Sequence, residues 1–223
     1  LLKPNGVATF EFPHLLKLIN ENQFDTIYHE HFSYLSLVAL EVIFKKNGLQ
    51  IFDVEEYATH GGSLRLFAQR SDTGVHRVSQ QVIELHKREI RAGVNCTDLY
   101  KDLQEKANIV KDNLLNFLIK AKQDNKKVVA YGAAAKGNTL LNYAGIRPDL
   151  ITYVVDKNPN KQNKYMPGSR IPIRGEEFLR DDNPDYVLIL PWNLKNEITI
   201  QLDYVKDKGG KFLIAIPKLE IIQ

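Results

Sequence analysis

The chain has 223 residues, 43% apolar and 26% charged, with a formal net charge of +3. That length and balance suit one large domain or two modest ones with a real core, and exclude a disordered chain or a membrane protein. The small, scattered positive charge gives no ground for a nucleic-acid partner and suits an anionic small molecule equally well.

No apolar run approaches the roughly 18 residues of a bilayer span, and no signal peptide opens the chain, so no membrane partner and a cytoplasmic location are expected. The single cysteine, Cys96, rules out an internal disulfide and any cysteine-built zinc site. It stands in Gly93-Val94-Asn95-Cys96-Thr97 and reads as a linker residue between two helices.

In chain order, the turn residues Pro4, Asn5 and Gly6 lead into a short strand over 7–12. Residues 14–20 read as a helix with Leu15, Leu16, Leu18 and Ile19 on its apolar face. Next comes the stretch Thr26-Ile27-Tyr28-His29-Glu30-His31-Phe32-Ser33-Tyr34, with two imidazoles, a carboxylate and two phenols in nine residues. Histidine titrates nearest neutral pH, so a pair of histidines beside a carboxylate suits proton transfer. The same composition also describes a polar surface turn, or a buried histidine satisfied by Glu30. In a strand, Tyr28 and His31 would point to opposite faces, whereas one helical turn brings them together. An irregular or single-turn segment is therefore expected.

Residues 36–47 form an amphipathic helix capped by Ser36 and ended by Gly48. Strands over 49–57 and 63–70, joined around His60-Gly61-Gly62, make an antiparallel hairpin. The paired glycines permit a tight turn and equally permit close approach of another group. Helices follow over 75–92 and from 97 or 98 to 123, the second with Leu99, Leu103, Val110, Leu114, Phe117, Leu118 and Ala121 as a packing stripe.

From Lys126 the pattern alternates strand and helix, as in a parallel α/β sheet. Strands are expected over 127–131, 151–155, 186–190 and 211–216, and helices over 137–145, 175–180 and 194–207. Loops after parallel strands gather at one sheet edge, where open α/β sheets bind ligands. The first such loop runs from Gly132 to Thr139 with Lys136 and Asn138 inside it. Backbone amides and a lysine there suit a phosphate, yet Asn138 stands where a Walker loop needs lysine, and Gly-x-Gly-x-x-Gly spacing is missing. Both a binding and a purely structural role stay open for Lys136 and Asn138. Asp156 sits near the position of a ribose-binding acid but reads better as a strand-end cap. Trp192, the only tryptophan, falls in the loop after the third strand.

Five stretches in this order resemble the nucleotide-sugar C-methyltransferases, which methylate carbon 3 of 4-keto-deoxysugars. They are Asp25–Tyr34 (Asp-Thr-Ile-Tyr-His-Glu-His-Phe-Ser-Tyr), Thr59–Arg65 (Thr-His-Gly-Gly-Ser-Leu-Arg), Tyr131–Thr139, Val155–Gln162 and Leu190–Asn193 (Leu-Pro-Trp-Asn). The resemblance implies an α/β chain: residues 1–72 as the last strands of an S-adenosylmethionine-dependent methyltransferase domain, including the hairpin and active-site segment, 73–125 as a helical connector, and 126–223 as a Rossmann-like domain. Full-length members also carry a zinc-binding piece and most of the S-adenosylmethionine site, both expected outside this chain.

The implied reaction removes a proton beside the sugar ketone, and the enolate then attacks the methyl of S-adenosylmethionine. Such chemistry needs a base near neutrality and a donor at the enolate oxygen. His31 is the expected base, Tyr28 the donor and Glu30 the orienting group. His29, His60, Arg65, Lys136 and Asn138 are expected to meet a nucleotide-diphosphate sugar. A monomer is expected. The alternatives are a sugar-nucleotide-binding module without chemistry and an NAD(P)-dependent oxidoreductase built on Gly132 and Asp156.

Overall fold

A computed structural model describes residues 2–222. Contacts divide it into two compact units. One comprises the chain up to Gln23 together with His31–Gln104, and the other Phe24–Glu30 together with the chain from Glu105 onward. The boundary expected near residue 72 falls inside the first unit.

The first unit is a three-stranded antiparallel sheet covered by helices. Strand β1 (Val7–Pro13) leads to helix α1 (Leu15–Asn20), and α2 (Leu37–Lys46) precedes β2 (Leu49–Tyr57), β3 (Ser63–Arg70) and α3 (Gln80–Ala92). The strand order is β1-β3-β2. Alternation places Leu64, Leu66 and Ala68 of β3 on one face, packed with Leu37, Leu40, Phe44, Val82 and Leu85 of the helices. On the other face Glu11, Arg65 and Glu55 stand side by side across the three strands.

Helix α2 starts where a Ser36 side chain accepts the Ala39 N–H at 3.2 Å. Two more first-turn donors go to a carboxylate from α3: Leu37 N–H and Val38 N–H bond Glu89 at 3.1 and 2.9 Å. Glu89 is completely buried, with the equally buried His14 imidazole 3.4 Å away. The positive end of the helix dipole compensates a carboxylate out of water.

Two expected helices are shorter than their apolar patterns. Residues 75–79 stay extended because Ser79 caps α3, accepting from Val82 at 3.3 Å. The following helix opens as a single 3-10 turn, Thr97–Tyr100, before α4 (Leu103–Gln123). The two helices expected as one connector divide between cores: Val82 and Leu85 belong to the first, and Val110, Leu114, Leu118 and Ala121 to the second.

The second unit carries a six-stranded sheet in the order β6-β5-β4-β7-β8-β9. Its strands are β4 (Val128–Tyr131), β5 (Val154–Val155), β6 (Ile173–Arg174), β7 (Tyr186–Ile189), β8 (Lys211–Ile214) and β9 (Glu220–Ile222). All neighbours are parallel except β8 and β9, the Rossmann-like arrangement expected from the alternation. Helices α5 (Ala135–Tyr143), α6 (Glu176–Asp182), α7 (Lys195–Gln201) and α8 (Tyr204–Asp207) fill the connections. The expected helix over 194–207 is thus broken, and α5 begins two residues earlier than its loop composition suggested. Strands β6 and β9 were not anticipated, being two and three residues long. The chain leaves β4 in one direction to β5 and β6, then returns to β7 on β4's other side, which makes the β4–β7 gap the topological switch point.

Candidate active site

The stretch from Phe24 to Tyr34 has no strand, as expected. Phe24–Thr26 form one 3-10 turn, closed by Ile27 N–H donating to Phe24 O at 3.0 Å. All three residues of the turn are buried in the second unit, although the chain up to Gln23 and again from His31 belongs to the first. Phe24 joins the second unit's apolar core, its ring 5.1 Å from that of Tyr143 at the end of α5.

Asp25 is the least expected member. Its side chain is wholly buried, and Oδ2 accepts the indole N–H of Trp192 at 2.8 Å. Burial pushes its carboxyl up to about 6, while the Trp192 bond and the Lys136 charge pull the other way. The backbone N–H groups of Asp25 and Thr26 also favour the ionised carboxyl. Lys136 lies with Nζ 4.5 Å from the Trp192 ring centre and 3.1 Å from Asn193 Oδ1. Burial lowers the lysine's own pKa, and Asp25 opposes that shift. The four residues come from the three places the topology brings to the switch point: the loop and first turn after β4, the loop after β7, and the inserted turn.

From this buried footing the chain rises to the surface within three residues. Ile27, His29 and Glu30 are exposed and Tyr28 is half-buried. The unit boundary falls between Glu30 and His31. In the first unit His31 is half-buried, its ring 6.3 Å from Tyr34 in an edge-on arrangement, and Phe32 beside it is 96% exposed. Of the residues expected to do chemistry, Glu30 is exposed and Tyr28 and His31 are half-buried, next to anchors that are fully buried.

In the loop after β4 the first three amides are bonded within the protein. Gly132 N–H bonds Val155 O at 2.7 Å, Ala133 N–H bonds Asp156 Oδ2 at 2.8 Å, and Ala134 N–H bonds Gly132 O at 2.8 Å. Asp156 also accepts from Asn158 N–H at 2.8 Å and from Lys161 at 3.2 Å, so the acid at the ribose position ties its own loop together. Lys136 and Asn138 are two apart on α5 and face different ways. Lys136 turns to Trp192, whereas Asn138 accepts from Asn142 at 3.1 Å. A Cβ on Gly132 would come within 2.5 Å of Pro191, and one on Gly137 within 2.7 Å of Leu190. The two loops that flank the switch point are packed against each other.

In the first unit, His60 is exposed in a left-handed conformation (φ 56°) within the turn Thr59–Gly61. Gly61 and Gly62 both have positive φ, and Gln23 donates to Gly61 O at 2.7 Å. Arg65 donates to Glu11 at 2.9 and 3.1 Å and to the Tyr57 hydroxyl at 2.7 Å, with Glu55 3.6 Å away. Its guanidinium is thus engaged along the cross-strand row.

Residues 58–217 match the family model for the C-methyltransferase C-terminal domain. The chain belongs to the C-methyltransferase family. It is also 36% identical over 222 residues to C-methyltransferase NovU of Streptomyces niveus, covering 100% of this chain and 53% of that protein. The chain therefore spans about half the length of the curated relative it matches.

The C-methyltransferase C-terminal model takes in His60, Arg65, Lys136, Asn138 and Trp192 and begins after the Tyr28–His31 segment. The similarity to NovU runs through that segment as well. Sequence reasoning missed Asp25 as a functional candidate and placed Trp192 in the loop after the third strand without a role. The available signal was that each lay inside a separate family-like motif, and only the fold shows that the two motifs touch.

Among the described residues, no group of histidine, cysteine and acidic side chains is arranged to hold a metal ion, and no helix is long and apolar enough to cross a membrane. The sequence has no Gly-x-Gly-x-Gly stretch, so these residues offer no glycine cradle for S-adenosylmethionine.

Proposed function

We propose that this chain is the substrate-handling portion of an S-adenosylmethionine-dependent C-methyltransferase acting on a nucleotide-linked keto-deoxysugar. The observation that carries the reading is the Asp25–His31 stretch: a buried, hydrogen-bonded foot followed at once by exposed His29 and Glu30 and half-buried Tyr28 and His31. S-adenosylmethionine, when bound elsewhere in the enzyme, supplies an electrophilic methyl group. The residues of this chain act before that, on the proton.

His31 takes the proton from the carbon beside the ketone. Imidazole is the side-chain type suited to act as a base near neutral pH, and of His29 and His31 it is His31 that stands three residues from Tyr28. Tyr28 donates a hydrogen bond to the oxygen as it gains enolate character, and Glu30 orients the imidazolium that forms. His29 and His60, both exposed, are proposed to meet the sugar nucleotide. Arg65 and Asn138 are engaged with their own neighbours, and Lys136 with the buried foot.

A dinucleotide oxidoreductase gains nothing from this geometry. The amides of Gly132, Ala133 and Ala134 are bonded within the protein, Asp156 is a loop tie, and Pro191 sits against Gly132.

The test is His31→Asn in the complete enzyme. Methylation is expected to fall by about 10²–10⁴-fold, the usual worth of a general base, while binding of a nucleoside diphosphate 4-keto-6-deoxysugar persists. Near-wild-type turnover would remove His31 from the mechanism.

A further inference from the structure

Two motifs far apart in the sequence meet inside the second unit. Asp25 and Trp192 are 167 residues apart, and their side chains share a fully buried hydrogen bond. Trp192 is fixed by the turn after β7, its own N–H bonding Leu190 O at 2.9 Å. Lys136 from α5 lies against the face of the indole and is held by Asn193, the next residue along. Nothing in methyl-group chemistry requires a tryptophan, a lysine and an aspartate to be packed out of water at a sheet edge. Burying a carboxylate is costly, so the cluster needs a reason.

The position of Asp25 supplies one. Tyr28 is three residues away and Glu30 five, and between Asp25 and Tyr28 the chain has only the remainder of a single turn. Whatever holds the aspartate determines where the phenol and the carboxylate emerge. Phe24 adds bulk to the foot but no direction, because an apolar contact is not oriented. The Trp192 bond is directional, and Lys136 is the charged group that acts on Asp25 from the neighbouring helix.

We propose that Asp25 is a positioning residue for the reaction, and that the Asp25–Trp192–Lys136 cluster is the clamp that sets the place of Tyr28, His29 and Glu30. The proposal rests on the functional reading above for its consequence to turnover, but the clamp itself is measurable without substrate.

Hydrogen exchange over residues 26–30 of the full-length enzyme reads the clamp. Trp192→Phe keeps the ring and removes the N–H. Exchange in that window is expected to accelerate by about tenfold to a hundredfold, the equivalent of one charge-assisted hydrogen bond, while β8 keeps its protection. Asp25→Asn retains a carbonyl that accepts from Trp192, so it is expected to keep the slow exchange, whereas Asp25→Ala loses it. The difference between wild-type and Trp192→Phe emission isolates this indole whatever other tryptophans the enzyme carries. It is expected to show a pH step near 6 that disappears in Asp25→Asn.

In turnover, Trp192→Phe is expected to lower kcat by about tenfold or more with KM for the sugar nucleotide little changed. Wild-type exchange over 26–30 in Trp192→Phe, or an emission step that survives Asp25→Asn, overturns the clamp. Neither readout depends on His31, so the clamp and the assignment of the base stand or fall separately.

Discussion

Glu89 accepts the backbone N–H of Leu37 at 3.1 Å, and neither residue has any exposed surface. With the Val38 bond on its second oxygen, the carboxylate answers two of the donors that the start of α2 would otherwise leave orphaned. Glu89→Ala should therefore cost roughly 2–5 kcal/mol, because two N–H groups lose their acceptor at once. Glu89→Gln retains one acceptor oxygen and should cost about half as much. Midpoints of urea unfolding separate the two, and an unchanged midpoint for Glu89→Ala would contradict the capping role.

Gly132 and Gly145 form a second, internally controlled test. Both have positive φ, +93° and +66°, but a Cβ at 145 would meet nothing within 4 Å, whereas one at 132 would lie 2.5 Å from Pro191. Gly145→Ala should cost about 1 kcal/mol, for backbone strain alone. Gly132→Ala should cost about 2–4 kcal/mol, since the loop after β7 must also move. Thermal unfolding of the two variants should rank them in that order.

Stability should depend on pH through Asp25. Its carboxyl is raised from 3.8 to about 6, so the folded chain holds this proton more tightly than the unfolded one. The corresponding stabilisation is fully present below about 3.8 and is lost as pH rises through about 6, a change of roughly 3 kcal/mol at 1.36 kcal/mol per pKa step. Asparagine at 25 cannot titrate. The difference in unfolding free energy between wild type and Asp25→Asn should therefore move in favour of wild type on going from pH 7 to pH 4. A flat difference would show that Asp25 ionises as an exposed carboxylate does.

Lys136→Met predicts the direction of a further shift. The ammonium lowers the Asp25 pKa, so removing it should move that midpoint upward from about 6. The indole N–H resonance of Trp192, hydrogen-bonded to the same carboxyl, is the natural probe. An unmoved midpoint would mean that Lys136 and Asp25 do not sense each other.

Periodicity revealed the longer elements because their apolar faces are continuous. The helix at Leu37–Lys46 and the hairpin strands Leu49–Tyr57 and Ser63–Arg70 were legible for that reason. Two-residue strands such as Ile173–Arg174 have no period to detect. The break after Gln201 was equally hidden, since Ile198, Leu202 and Val205 continue a helical stripe across it. At the site, the density of ionisable groups between Tyr28 and His31 was visible, but the burial of Asp25 was not. An aspartate ahead of a polar turn looks like any surface charge until the partner supplied by Trp192 is known. Lys136 was legible as a special lysine from the glycine-rich loop around it. That composition left a phosphate site and a structural role both open, and the packing of Gly132 and Gly137 against Pro191 and Leu190 brings two loops together.

The turn at Phe24–Thr26 is buried in a unit whose remaining chain begins more than seventy residues later. Neither unit can therefore be cut out as one continuous length of polypeptide. A gene segment encoding only residues 105–223 would deliver the parallel sheet with an apolar socket where Phe24 belongs and an indole without its acceptor. Exchanging such a segment between homologous enzymes would pair each new sheet with the resident plug. Compatibility at Asp25, Lys136, Tyr143 and Trp192, more than overall similarity, would then decide which chimaeras assemble.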